Sequence, residues 1–158
     1  MRIALPVVAV VAALSLSSCS LFESGPERDA DGAVTTAATE SVMTIALGDC
    51  LDSEALGSYV TDVPFIPCGE PHDSEVYAQV ELADGEYPGE DAVAKQADQY
   101  CYEQFPSFVG MSYEESALDY FPMYPLQDGW ENAGDREVLC LVVSVDGDVT
   151  GTLAGVAR

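Results

Sequence analysis

The chain has 158 residues, with 28 Asp and Glu against 5 Lys and Arg and a formal net charge of -23. That length holds one ordinary domain with something to spare, and 48% hydrophobic residues suffice for a core. The acidity excludes electrostatically driven binding to nucleic acid, which needs Lys and Arg against phosphates, and it opposes docking on anionic lipid by charge alone.

In chain order, Met1-Arg2 precedes an apolar run from Ile3 to Leu14, then Leu16-Ser17-Ser18-Cys19. A single positive charge, a short apolar run and small residues before a cleavage point make a secretory signal peptide over 1–18. The run is shorter than the roughly 20 residues a membrane-spanning helix needs. The tetrad ending in Cys19 resembles the bacterial lipobox, which implies lipidation (palmitate among the acyl chains) of Cys19 and anchorage to the membrane through that lipid. Residues 19–41 are rich in Ser, Glu, Asp, Gly, Thr and Ala without apolar periodicity and read as a lipidated N-terminus and flexible tether. Asp29-Ala30-Asp31-Gly32 only faintly suggests a calcium loop, because Ala33 stands where a third ligand belongs. The globular domain is expected over 42–158.

Four cysteines remain, Cys50, Cys68, Cys101 and Cys140, and an even number in an exported chain implies disulfides. Of three possible pairings we expect Cys50–Cys68, closing a short loop, and Cys101–Cys140, tying a helix to a strand. No Cys-x-x-Cys is present and the single histidine, His72, is not spaced as a zinc ligand, so no metal or other cofactor is expected.

Thr44–Leu47 reads as a short strand and Val63–Pro67 as a second. Ser74–Leu82 alternates, with Val76, Ala78, Val80 and Leu82 on one side and Glu75, Tyr77, Gln79 and Glu81 on the other, the pattern of a half-buried strand. Pro88-Gly89-Glu90-Asp91 opens a helix whose stripe is Val93, Ala97, Cys101 and Phe105, and Pro106 is expected to end it. Ser112-Tyr113-Glu114-Glu115 resembles a capping box. Leu118–Tyr124 reads as an edge strand because of Pro122, and Gln127–Asp135 as a loop. Glu137–Val145 is apolar on both faces and reads as a central strand; Asp146-Gly147 then signals a hairpin returning over Asp148–Leu153. The expected fold is α+β: a small antiparallel sheet with one main helix packed on one face and two disulfides.

Several motifs occur in order: Gly48-Asp49-Cys50, VPFIPCGEPHDSE over 63–75, Tyr87-Pro88-Gly89, Cys101, Trp130 with Gly134-Asp135-Arg136, Cys140, and Thr150-Gly151-Thr152-Leu153. Together they resemble the actinobacterial septum formation domain family, over roughly Leu47 to Arg158. The resemblance implies a domain on the outer face of the cytoplasmic membrane, a link to cell division and no assigned reaction. It also fits the cysteine pairing above.

Candidate chemistry is sparse. His72 with Asp73 or Glu75 is the weak catalytic candidate set; the bland alternative is an imidazole bonded to a turn beside the disulfide. No nucleophile motif or phosphate loop accompanies it. Trp130 and Tyr120, with Phe121 and Tyr124, are candidates for an aromatic binding face. The resulting expectation is a lipid-anchored, non-catalytic binding or adaptor domain, with an envelope or division protein or wall material as partner. Its rival is an envelope hydrolase or a cation- or ligand-sensing domain using His72 and nearby acids.

Overall fold

The computed structural model describes residues 25–56 and 59–158. The expected signal peptide over 1–18, the expected lipidation site Cys19, the first part of the expected tether and Gly57-Ser58 lie outside the described residues. The strands are β1 (Ala38–Ser41), β2 (Cys50–Leu51), β3 (Asp62–Ile66), β4 (Ser74–Glu81), β5 (Leu118–Met123) and β6 (Glu137–Ser144), with the helix α1 (Glu90–Val109) between β4 and β5. They form one antiparallel sheet in the order β1-β3-β2-β4-β6-β5, so β5 is an edge and β6 is interior. This is the expected α+β architecture.

Both faces of β6 are apolar because each meets a different core. Val138, Cys140 and Val142 pack toward α1, together with its stripe Ala97, Cys101, Phe105 and Val109. Leu139 and Leu141 point the other way, into a second cluster with Leu51, Val63, Phe65 and Val76. Met123 of β5 packs on that second cluster as well. From β3 to β5 is four strand spacings, about 19 Å if the sheet were flat. Side chains from both ends share one core because the sheet curls around it. A register shift between Val76 and Ala78 on β4 adds to the curl, since a bulge bends and twists its strand. The bulge also breaks the expected alternation. Val76 joins the inner cluster, while Tyr77 and Ala78 both join the helix side. There the Tyr77 hydroxyl donates to the Cys101 carbonyl at 2.6 Å, and burial first of all drives its pKa upward.

Both disulfides are the expected ones. Cys50–Cys68 joins β2 to the turn after β3, and Cys101–Cys140 joins α1 to β6, with Cα separations of 5.3 and 5.4 Å.

Several expectations are corrected. Residues 25–41 are not a free tether: Arg28 and Val34 bridge, Val34 is buried, and β1 pairs with β3 in register from Ala38–Phe65 to Ser41–Asp62. Asp29 tightens this segment as a turn, its carboxylate accepting from the Asp31 and Ala33 N–H groups. Thr44–Leu47 is not a strand; a 3-10 turn covers Val42–Thr44 and strand pairing resumes at Cys50. Pro106 does not end α1, which runs to Val109 and stops at Gly110 in the left-handed region. Phe105 and Val109 are both fully buried, and their packing carries the helix through a proline placed in its last turn. The carbonyl that loses its partner belongs to Tyr102, on the solvent side.

Gln127–Asp135 holds a wide helical turn, Gly129–Ala133, rather than an open loop. The Asp146-Gly147 hairpin does not form. β6 is already paired on both sides, by β4 and β5, so a returning strand has no edge to join. Val149 instead exchanges backbone hydrogen bonds with His72, at 2.8 and 3.0 Å. No described helix is long and apolar enough to cross a membrane.

Candidate functional site

The polar motif after Cys68 holds the residue types that chemistry needs, but its side chains diverge. His72 is 1% exposed. Its Nδ1 lies 2.8 Å from the Glu70 carbonyl oxygen and so must carry the proton and donate. Nε2 is buried and unpartnered among the described residues. The Asp73 carboxylate turns to the Ser53–Ala55 turn, accepting from Ser53 N–H at 2.6 Å, Ser53 hydroxyl at 2.9 Å and Glu54 N–H at 3.1 Å. That caps the turn from a residue distant in sequence, just before β4. Glu75 accepts from the Leu153 N–H at 2.6 Å and the Thr152 hydroxyl at 2.8 Å. The Asp73 side chain thus ties the turn after β2 to the sheet and the Glu75 side chain the C-terminal Thr152-Leu153 segment, while the His72 imidazole bonds its own turn and its backbone pairs with Val149 after β6. Asp73→Ala is expected to lower stability by about 1–3 kcal/mol, because two backbone donors lose their acceptor. Its thermal midpoint against that of the native chain checks this.

A second buried acid stands in Gly48-Asp49-Cys50. Asp49 is 2% exposed and receives Arg28 in a bidentate pair at 2.5 and 2.8 Å, plus the Ala46 N–H. The pair and its hydrogen bonds raise the Arg28 pKa further. The residues 47–156 match the family model described as septum formation. The chain belongs to the septum formation family. No curated protein and no solved structure matches it. The match begins at residue 47, so the septum formation domain here receives the cation for Asp49, and its edge strand β1, from the segment that precedes the match.

The aromatic candidates separate in the same way. Trp130 is buried in the septum formation domain; its indole N–H donates to the Gly85 carbonyl at 2.9 Å and the Arg136 guanidinium lies 3.8 Å above its ring. It is a packing residue, not part of a binding face. Tyr120 packs against Tyr113 and Phe105, and its hydroxyl donates to Asp98 on α1 at 2.8 Å. Burial is the first cause pushing its pKa up, followed by that bond. Tyr124 is half-buried and does line an open surface, a groove of about 720 Å³ that sequence reasoning did not find.

The groove lies where the curled sheet brings its two ends close. Ser41–Met43 and Tyr59–Thr61 form one wall, and the end of β5 with the following residues forms the other. Its apolar surface includes Met43, Tyr59 and Phe121, which are among the large exposed hydrophobic residues of the domain, Tyr59 at 71% and Phe121 at 46%. Its rim carries Glu90, Asp128, Asp135 and Glu137. The edge of β5 beside it is blunted. The Leu118 N–H donates to the Ser116 hydroxyl, the Tyr120 N–H to the Asp119 carboxylate, and Pro122 has no N–H. These alternate residues leave no free donor along that edge for an added strand.

Glu137 reports the local field. Burial first, then Glu81 and Asp135, raises its pKa above the ordinary carboxylate value. Ionised Glu137 therefore works against the folded state above its folded pKa, and the penalty disappears as pH falls through that value. Glu137→Gln is expected to stabilise the domain slightly at pH 7, by less than about 1 kcal/mol given its exposure, with the gap to the native chain closing toward pH 4. Urea unfolding at the two pH values measures it. Among the described residues, no three His, Cys, Asp or Glu side chains gather as a metal-binding set.

Proposed function

We propose that the chain is a lipid-anchored, extracytoplasmic, non-catalytic binding domain acting in septum formation, held to the membrane through Cys19. The observation that carries this reading is the fate of His72, Asp73 and Glu75: each is turned to a different structural partner, so the motif staples loops instead of assembling an acid, a base and a nucleophile. Two disulfides in so small a domain suit an oxidising compartment outside the cytoplasm. The open apolar groove supplies a place for a partner, which is what an adaptor needs.

The packed N-terminal segment changes how the anchor works. Described structure begins at Gly25, six residues after Cys19, and six residues reach at most about 20 Å. A lipid on Cys19 keeps the domain close to the bilayer, not on a long leash, and the net charge of -23 holds its surface off anionic headgroups.

A fluorescent fusion of the full chain in dividing cells, beside the Cys19→Ala form, tests the reading. The expected result is enrichment at division sites, with loss of membrane attachment in the variant. Even distribution of the native fusion along the membrane contradicts the septal role, and unchanged attachment of the variant contradicts the lipid anchor.

A further inference from the structure

We propose that the groove between the two ends of the curled sheet receives an extended, Lys- or Arg-bearing segment of a partner protein, held through side chains and not by strand addition. The inference rests on the binding-domain reading above and names the chemistry of its ligand. Three observations carry it.

The first is shape and surface. The groove volume, about 720 Å³, falls in the range of ligand-binding clefts, and Met43, Tyr59, Phe121 and Tyr124 give it apolar and aromatic surface. The second is charge. Glu90, Asp128, Asp135 and Glu137 stand around it, and none is in an ion pair. Among the described residues the ion pairs are Arg28–Asp49 and Arg136–Asp84, so the nearest arginine, Arg136, is engaged with Asp84 and the Trp130 ring. A cationic side chain arriving from outside meets unneutralised carboxylates and aromatic faces together, the two surfaces that an ammonium or guanidinium prefers. A second copy of this chain is a poor occupant, since it brings the same large negative charge. The third is the blunted β5 edge, whose donors are tied to Ser116 and Asp119 or absent at Pro122. Backbone pairing along that edge lacks its donors, which favours recognition through side chains.

The test uses the full chain in phosphatidylcholine nanodiscs and a fluorescein-labelled nine-residue peptide alternating Lys and Leu, read by anisotropy at physiological salt. A peptide alternating Glu and Leu is the control. The expected result is saturable binding of the Lys peptide alone. It should weaken at least tenfold in the Phe121→Ser, Glu137→Gln double variant and change less than twofold in the Asp146→Asn, Asp148→Asn variant, whose residues do not line the groove. Photo-crosslinking of the bound peptide should map to 121–128 and 41–43, which holds the proposal to the groove even if the double variant folds poorly. Equal loss in both variants, binding of the Glu peptide, or crosslinks elsewhere overturns it as general charge attraction or stickiness. If the peptide test fails while the fusion still gathers at division sites, only the groove assignment falls. If the peptide binds as expected while the fusion spreads evenly, the septal role falls and the groove assignment stands.

Discussion

Replacing Cys101 and Cys140 together by alanine is expected to lower the unfolding free energy by about 4 kcal/mol, the largest loss available from any single link. The bond closes a loop with a sequence separation of 39, and chain-entropy reasoning gives roughly that value for such a loop. Cys50–Cys68, with a separation of 18, is expected to be worth about 3 kcal/mol by the same argument. The first also has the greater structural consequence. It is the covalent tie between α1 and β6, and it sits in the core that holds Tyr77 and Phe105. A domain of this size is stable by only about 5–15 kcal/mol, so the variant stands near the edge of folding. Urea titration of the two double-alanine forms against the native chain gives the numbers. A loss below about 1 kcal/mol from Cys101 and Cys140 would mean that packing alone fixes the helix on the sheet.

A chain cut to the family match, starting at Leu47, is expected to lose about 3–5 kcal/mol or fail to fold, whereas a chain starting at Gly25 is expected to behave as the native protein. The cut takes from the Asp49 carboxylate, buried in the intact chain, both its cation Arg28 and the Ala46 N–H, and removing one partner of a buried ion pair is strongly destabilising. It also removes β1 and strips the outer edge of β3. Arg28→Met isolates the electrostatic part and is expected to cost about 3 kcal/mol; adding Asp49→Asn should recover some of it by removing the stranded charge. Thermal midpoints of the two truncations and two variants resolve these contributions. A Leu47 start as stable as the Gly25 start would contradict the view that this segment completes the domain.

Periodicity made much of this fold legible. The stripe Val93, Ala97, Cys101, Phe105 placed Cys101 on the buried side of a helix, and the doubly apolar run at 137–145 marked an interior strand. Together these made the Cys101–Cys140 pairing readable from the order of the residues. What stayed hidden depends on tertiary partners. Arg28 and Val34 are isolated residues in a polar segment, and only the position of Asp49 and the inner core gives them a role. The Asp146-Gly147 signal is sound as turn chemistry, but β5 takes the edge a hairpin would need. Trp130 has the character of a binding aromatic, yet Gly85 and Arg136 enclose it. The motif His72-Asp73 carries the right residue types for chemistry, and only the fold reveals that its side chains turn to different partners, the Glu70 carbonyl and the Ser53 turn. The groove could not be read from sequence at all, since it joins 41–43, 59–61 and 121–129 by the curl of the sheet.

The central claim is that this septum formation domain acts by holding a partner, and that the groove is where it does so. The most direct test places a photo-crosslinking amino acid at Phe121 of the full chain in dividing cells and identifies the crosslinked peptides by mass spectrometry. The expected result is a reproducible product with a division or wall-synthesis protein, joined through a Lys- or Arg-rich segment and absent when the same probe replaces Asp148 on the far loop. The same products from both positions, or none from Phe121 while the protein still gathers at division sites, would contradict it.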